Sequence, residues 1–239
     1  MSGKQALHGA CGSQLRRWRR INIWIDRILM SVLLFLMIFI GSGLISSLTV
    51  VEEGRGSIKY QGFSQLMKVN PDTVAWLTMD GTRIDHPVVR SEDNFDYLDL
   101  SFDGRYYAGG TLFMDKENGG IEEKYCIIHG HNMAAGAMFG DLDRYLDPGF
   151  FERNRHGTLL TPMYDYDILV LASGIFDAYD RNVYAAGAEA PCGYIRENAV
   201  QQRDADGADH FLALSTCFDD MTDRRVVVLC ALTDRRTHI

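Results

Sequence analysis

Residues 211–232 read FLALSTCFDDMTDRRVVVLCAL. Two apolar runs of strand length flank a short acidic segment, and this pattern predicts an antiparallel hairpin. Cys217 closes the first run and Arg225 opens the second. The hairpin therefore brings a thiol and a guanidinium side by side at the rim of a sheet. Arg224 is adjacent in sequence, so its side chain leaves from the opposite face of the strand.

Similar short runs recur upstream. Strands are predicted at Val74–Met79, Ile84–Val89, Thr111–Met114, Lys124–His129, Gly157–Thr161, Tyr166–Ser173, Phe211–Thr216 and Arg225–Leu232. Asp80-Gly81 between the first two is a tight-turn signal. Eight short strands separated by turn residues predict a β-barrel or sandwich. Helices are predicted at Phe63–Val69, Asp93–Leu98, Gly136–Tyr145 and Pro148–Asn154. A longer one is predicted near Gly193–Asp204, just before the Cys217 strand. The expected fold is mainly β with helices (α+β): an eight-stranded β-barrel with helical inserts.

Ahead of this domain, Ile28–Val51 is apolar and uncharged. Its length fits the ~20 residues a membrane-spanning helix needs. Arg16, Arg17, Arg19, Arg20 and Arg27 precede the run, and Glu52 and Glu53 follow it. The positive-inside rule then predicts a cytoplasmic tail at 1–27, a transmembrane anchor at 28–51, a linker and N-terminal helix at 52–69, and an extracellular domain at 70–239. A cleaved signal peptide is the rival reading, but its apolar core would span only about 7–15 residues.

Charge is uneven. Of 24 Lys/Arg, six fall in 1–27, and of 32 Asp/Glu, one does; 18 against 31 remain, a net of −13. A surface so acidic is a poor partner for nucleic acid.

Five cysteines are present: Cys11, Cys126, Cys192, Cys217 and Cys230. The four in the exported part have the number for two disulfides. Cys126 and Cys230, however, lie inside apolar runs, where cysteine acts as a small hydrophobe. Cys217 has charged neighbours, the setting that favours a reactive thiolate.

In KYCIIHGHNM, His131 follows another strand-like run. The His129-Gly130-His131 pair admits a zinc reading, but a catalytic zinc takes a third protein ligand and none has suitable spacing. No metal or other cofactor is expected. Cysteine, histidine and arginine at three strand ends point to thiol-based acyl transfer: a nucleophile, its acid/base partner and a cation for the oxyanion.

These motifs together resemble the class B sortases. LSTC at Leu214–Cys217 is followed by an arginine opening a Val-rich strand. IIHGHNM…GAMFGDL spans Ile127–Leu142, and NPDTVAWLTMDGTRIDHPVVRSEDNFDYL spans Asn70–Leu98. The likeness runs from about Phe63 to Leu232. Two positions depart from the family pattern, where His129 and His86 stand in place of tyrosine, and the loop between Cys217 and Arg225 is short.

The resemblance implies a membrane-anchored cysteine transpeptidase. It would cut a C-terminal sorting signal of an exported protein after Thr and join the product to an amine of the cell-wall peptide or of a pilin. Cys217 would be the nucleophile, His131 the general acid/base and Arg225 the oxyanion or substrate stabiliser. Asn94, Leu98, Ser215 and Asp219 would line the substrate site. Two other functions fit the same residues: an anchored cysteine endopeptidase that only hydrolyses, and a non-catalytic binding module on the same barrel.

Overall fold

The computed structural model describes residues 27–35, 37, 62–185, 191–204, 208–219 and 222–237. The chain divides into two compact units, 1–57 and 58–239. In the first, residues 27–35 and 37 are helical, with exposed apolar side chains from Ile28 to Phe35. Among the described residues no helix is long and apolar enough to cross a membrane. The rest of the predicted anchor, the basic tail up to residue 26 and the linker at 52–61 lie outside the described residues.

The second unit runs α1 (Phe63–Val69), β1 (Thr73–Met79), β2 (Asp85–Val89), β3 (Leu112–Met114), β4 (Tyr125–His129), α2 (Pro148–Arg153), β5 (His156–Leu160), β6 (Tyr164–Asp177), α3 (Pro191–Glu197), β7 (Gln201–Gln202), β8 (His210–Cys217) and β9 (Arg224–Thr237). The strands lie in the order β5-β1-β2-β3-β4-β8-β9-β6-β7, and β5 pairs again with β6. Eight strands thus close on themselves, while β7 hydrogen-bonds to the part of β6 that extends beyond β5.

Side-chain alternation explains the composition of the central strands. Cys126, Ile128, Leu212, Leu214, Val226, Val228 and Cys230 fill the barrel interior. Their neighbours Tyr125, Ile127, Ala213, Val227, Leu229 and Ala231 face outward but are also buried. The cover is the β6–β8 insert, which lays Val183, Tyr184, Ile195 and Tyr194 on that face. Strands buried on both faces read as continuous apolar runs, which accounts for VVVLCAL in β9. β4 and β8 pair in parallel, with Tyr125 opposite Phe211 and His129 opposite Ser215.

Three predicted helices are corrected. Asp93–Leu98 is helical only as a 3₁₀ turn at Asp96–Leu98. The Gly136–Tyr145 helix does not form: Ala135, Gly136 and Met138 have φ of 59°, 73° and 52°, a left-handed backbone that no α-helix tolerates. A 3₁₀ turn at Leu142–Leu146 follows instead. Finally, Gly193–Asp204 is not one long helix. α3 ends at Glu197, and Gln201 and Gln202 instead pair with Ser173 and Ala172. The free edge of β6 outcompetes the helix propensity of this segment. β6 and β9 also exceed their predicted bounds because they sustain each other's ladder from Tyr164↔Thr237 to Asp177↔Arg224.

Candidate active site

The β8–β9 hairpin places Cys217 directly opposite Arg225 in the ladder. Both are half-buried, and Arg225 Nη1 donates to Cys217 Sγ at 3.3 Å. A fixed cation thus stands beside the sulfur and beside any negative charge that develops there. Arg224 leaves from the other face: it is exposed, stacks over Phe218 at 4.9 Å and lies 3.8 Å from Asp219.

His131 lies two residues beyond β4. Continuing the β4–β8 register from His129↔Ser215 by two residues brings it alongside Cys217. Several bonds fix the segment there. Gly130 N donates to Ser215 O at 3.2 Å, Thr216 Oγ1 to Gly130 O at 2.8 Å, and Asn132 Nδ2 to Cys217 O at 3.0 Å. Asn132 also donates to Asp143, whose carboxyl burial shifts upward. Gly130 is needed for close approach, since a Cβ there would sit 2.4 Å from Leu112 and 2.9 Å from Phe139.

The His131 ring bonds the Leu98 carbonyl through Nε2 at 2.8 Å. A carbonyl only accepts, so Nε2 carries the hydrogen and donates it. In the neutral ring Nδ1 is then the nitrogen left for proton exchange. Leu98 ends the 3₁₀ turn, and Gly110 packs against it with φ of 60°; a Cβ at Gly110 would lie 2.6 Å from the Leu98 oxygen and 2.4 Å from that of Tyr97. Gly110→Ala is expected to lower the melting temperature more than Gly104→Ala. Gly104 has a φ of 78° but open space around its Cβ. Both substitutions carry left-handed strain of about 1–2 kcal/mol, and only the first adds a backbone clash. Equal shifts in paired thermal melts would show that the turn yields freely around Leu98.

A second imidazole stands close by with different partners. His129 Nε2 bonds Asp115 Oδ2 at 2.9 Å, and its ring lies between Phe113 and Tyr184, at centroid distances of 5.4 Å and 6.1 Å. Burial pushes the Asp115 carboxyl upward, but the bonds from His129, the Glu117 amide and Asn94 outweigh it and hold it below its ordinary value. The Tyr184 hydroxyl meets Ser215 Oγ at 2.9 Å. Burial pushes that phenol up to about 12, so it stays protonated.

The four residues expected at the substrate site are thus partly engaged internally. Asn94 Nδ2 donates to Asp115 and its Oδ1 accepts from Lys116 N. Leu98 offers its carbonyl to His131, and Ser215 is buried against Tyr184. Asp219 accepts from Thr222 and shapes the β8–β9 turn. Sequence reasoning missed Asp115 and Tyr184. Asp115 had a signal, as a carboxylate at the end of a strand-like run. Tyr184 had none, because it lies in an insert without periodicity.

Cys126, Cys192, Cys217 and Cys230 are all free thiols. Burial pushes Cys126 up to about 12 and Cys192 up to about 11, and raises Cys230 as well.

No family model matches the chain. Sortase B of Listeria monocytogenes is 36% identical over 108 residues, which is 45% of this chain and 44% of that protein. The chain thus matches less than half the length of its curated relatives. A Streptococcus pyogenes class B sortase involved in pilus biogenesis is 32% identical, with a TM-score of 0.65 over 73% of this chain and 99% of that one. The Staphylococcus aureus sortase B–substrate complex is 26% identical, with a TM-score of 0.66 over 72% of this chain and 84% of that one.

Proposed function

The chain belongs to the class B sortase family, and from that premise we propose that it is a cysteine transpeptidase. It cleaves the C-terminal sorting signal of an exported protein after Thr and joins the product to an amine of the cell-wall peptide or of a pilin. The observation that carries this reading is the 3.3 Å bond from Arg225 to the Cys217 sulfur, at a strand end shared with the His131 segment.

In this reading the Cys217 thiol gives its proton to His131, and the sulfur attacks the Thr carbonyl carbon. An S–C bond forms, the C–N bond to the next residue breaks, and His131 passes the proton to the departing amine. The oxygen that turns anionic on the way is opposed by Arg225. An acceptor amine then attacks the thioester, the S–C bond breaks, and His131 takes the surplus proton. The thioester conserves the acyl bond, so transfer requires no nucleotide. Incubation of the full-length chain with a Thr-containing sorting peptide and a primary amine is expected to yield the new amide by mass spectrometry. Free acid alone at saturating amine would reduce the protein to a peptidase.

Arg225 provides a sharper test. Its guanidinium keeps its charge and offers a planar fork that lysine lacks. Loss of an oxyanion donor costs ~10²–10³-fold. Arg225→Lys should retain a little activity and Arg225→Ala less, while Arg224→Ala stays near wild type. These outcomes are read as kcat/KM on one peptide. A large loss confined to Arg224→Ala would move the oxyanion role to the other face of β9.

The setting we propose is the cell membrane, with 1–27 cytoplasmic, 28–51 retained as an anchor and the catalytic domain outside. The uncharged apolar run behind five arginines supports it. Protease added to intact cells is expected to remove the domain. Protection of the domain, or a mature N-terminus beyond Gly41, would overturn this topology.

A further inference from the structure

The β4–β8 ladder stops one step short of the reactive pair. Its last rung is His129↔Ser215, with Gly130 N donating to Ser215 O at 3.2 Å. In a parallel ladder the next rung would join His131 to Cys217. Asn132 N would then donate to the Cys217 carbonyl, and Cys217 N to the Gly130 carbonyl. The chain turns away before that rung forms: Asn132 bridges to Met138, and Phe139 N donates to His131 O at 3.0 Å. Side chains serve both carbonyls instead. Thr216 Oγ1 donates to Gly130 O at 2.8 Å, and Asn132 Nδ2 donates to Cys217 O at 3.0 Å.

The second of these bonds is itself held in place. Asn132 Nδ2 lies 3.1 Å and 3.3 Å from the two carboxylate oxygens of Asp143. A side-chain amide has two hydrogens to give, and here they divide between Asp143 and the Cys217 carbonyl. Asp143 sits in the 3₁₀ turn Leu142–Leu146, whose Leu142 and Tyr145 are packed in the barrel core. The carboxylate is therefore carried on a fixed support. Burial raises the Asp143 carboxyl and the bond from Asn132 works against that rise, so the fold keeps a carboxylate here in spite of its desolvation. Among the described residues, both side-chain bonds of Asp143 come from Asn132.

We propose that Asn132 is a positioning residue for the reaction: locked by Asp143, its amide fixes the Cys217 main chain against the His131 segment and so sets the approach of sulfur and imidazole. This rests on the transpeptidase reading for the roles of Cys217 and His131. Asn132 acts through the Cys217 carbonyl and touches no reacting atom. A complete rung would keep residues 131–132 in the sheet. The side-chain link instead keeps the two segments in register while the main chain beyond His131 turns off the sheet.

The test separates the two bonds of the Asn132 amide, using the full-length chain, cleavage of a sorting peptide and a melt of each preparation. Asn132→Ala loses both bonds. It should lower kcat by about 10–100-fold with KM little changed, since a misplacement of about 1 Å can cost ~10²-fold. Asp143→Ala keeps the amide but removes its lock, and should fall between Asn132→Ala and wild type. Asn132→Asp sets two carboxylates against each other and should lower both kcat and the melting temperature. The exchanged pair Asn132→Asp/Asp143→Asn restores an amide–carboxylate bond between the same positions, but position 132 then has no N–H for the Cys217 carbonyl. It should regain melting temperature without regaining kcat. Recovery of kcat together with the melting temperature would overturn the proposal, leaving Asn132 a tether between the loop and the 3₁₀ turn. So would an unchanged kcat in Asn132→Ala, with or without a rise in KM. Cleavage precedes either fate of the thioester, so a failure to transfer to any amine would defeat the transpeptidase reading and leave this one standing.

Discussion

Cys217→Ala should reduce both cleavage and transfer to the uncatalysed background while leaving the barrel folded. The side chain stands at the end of β8, half-buried, on the outer face. Its inner-face neighbours Leu214 and Thr216 are fully buried and carry the packing of that strand end. Removing the sulfur deletes the hydrogen bond from Arg225 but no core contact, so the stability change should stay within the ±0.5 kcal/mol usual for substitutions away from the core. No other described cysteine can substitute. Cys126 and Cys230 are buried inside the barrel, Cys192 sits in α3 of the insert and packs on the outer-face core, and burial holds all three thiols protonated. The measurement is product formation from a sorting peptide, paired with a thermal melt of the same preparation. Turnover that survives in a folded variant would remove Cys217 as the nucleophile.

What the sequence made legible follows from the range of the interactions involved. The Cys217–Arg225 pairing was readable because a short turn fixes register, and register fixes which side chains share a face. That Arg225 rather than Arg224 stands beside Cys217 follows from alternation along a strand, and the ladder sets Cys217 opposite Arg225. The spacing of the apolar runs led to a barrel or a sandwich, and it is the pairing of β5 with β6 that closes the eight strands into a barrel. The errors sit where a distant partner decides. Gln201 and Gln202 look helical until the uncovered edge of β6 claims them. The helix expected at Gly136–Tyr145 fails in its first turn. It does so because Asn132 bridges to Met138 and Phe139 N donates to His131 O at 3.0 Å, folding the loop back on itself. Tyr184 reaches Ser215 across 31 positions of chain, and nothing local to either residue signals that meeting.

His131→Ala should lower kcat by several orders of magnitude, since a positioned acid/base group is worth ~10²–10⁴-fold. His129→Ala should cost much less, although the two imidazoles are two residues apart. The difference lies in what holds each ring. His131 is anchored through Nε2 to a neutral carbonyl, which leaves Nδ1 for the proton traffic of the reaction. His129 is committed to Asp115 and wedged between Phe113 and Tyr184, so its loss loosens one wall of the site rather than removing a proton carrier. It should instead show in stability. Asp115 has a folded-state value below its unfolded one, with His129 the largest favourable cause. The stabilisation it gives is therefore present above the ordinary carboxylate range and lost as pH falls through the folded value. His129→Ala should shrink that contribution, so the variant's melting temperature lies below wild type at neutral pH and the two curves converge in acid. Single-turnover rates and melts across pH on both variants decide the matter. A collapse of kcat in His129→Ala with a mild effect in His131→Ala would reverse the roles, making the Asp115–His129 pair the acid/base unit and His131 part of the wall.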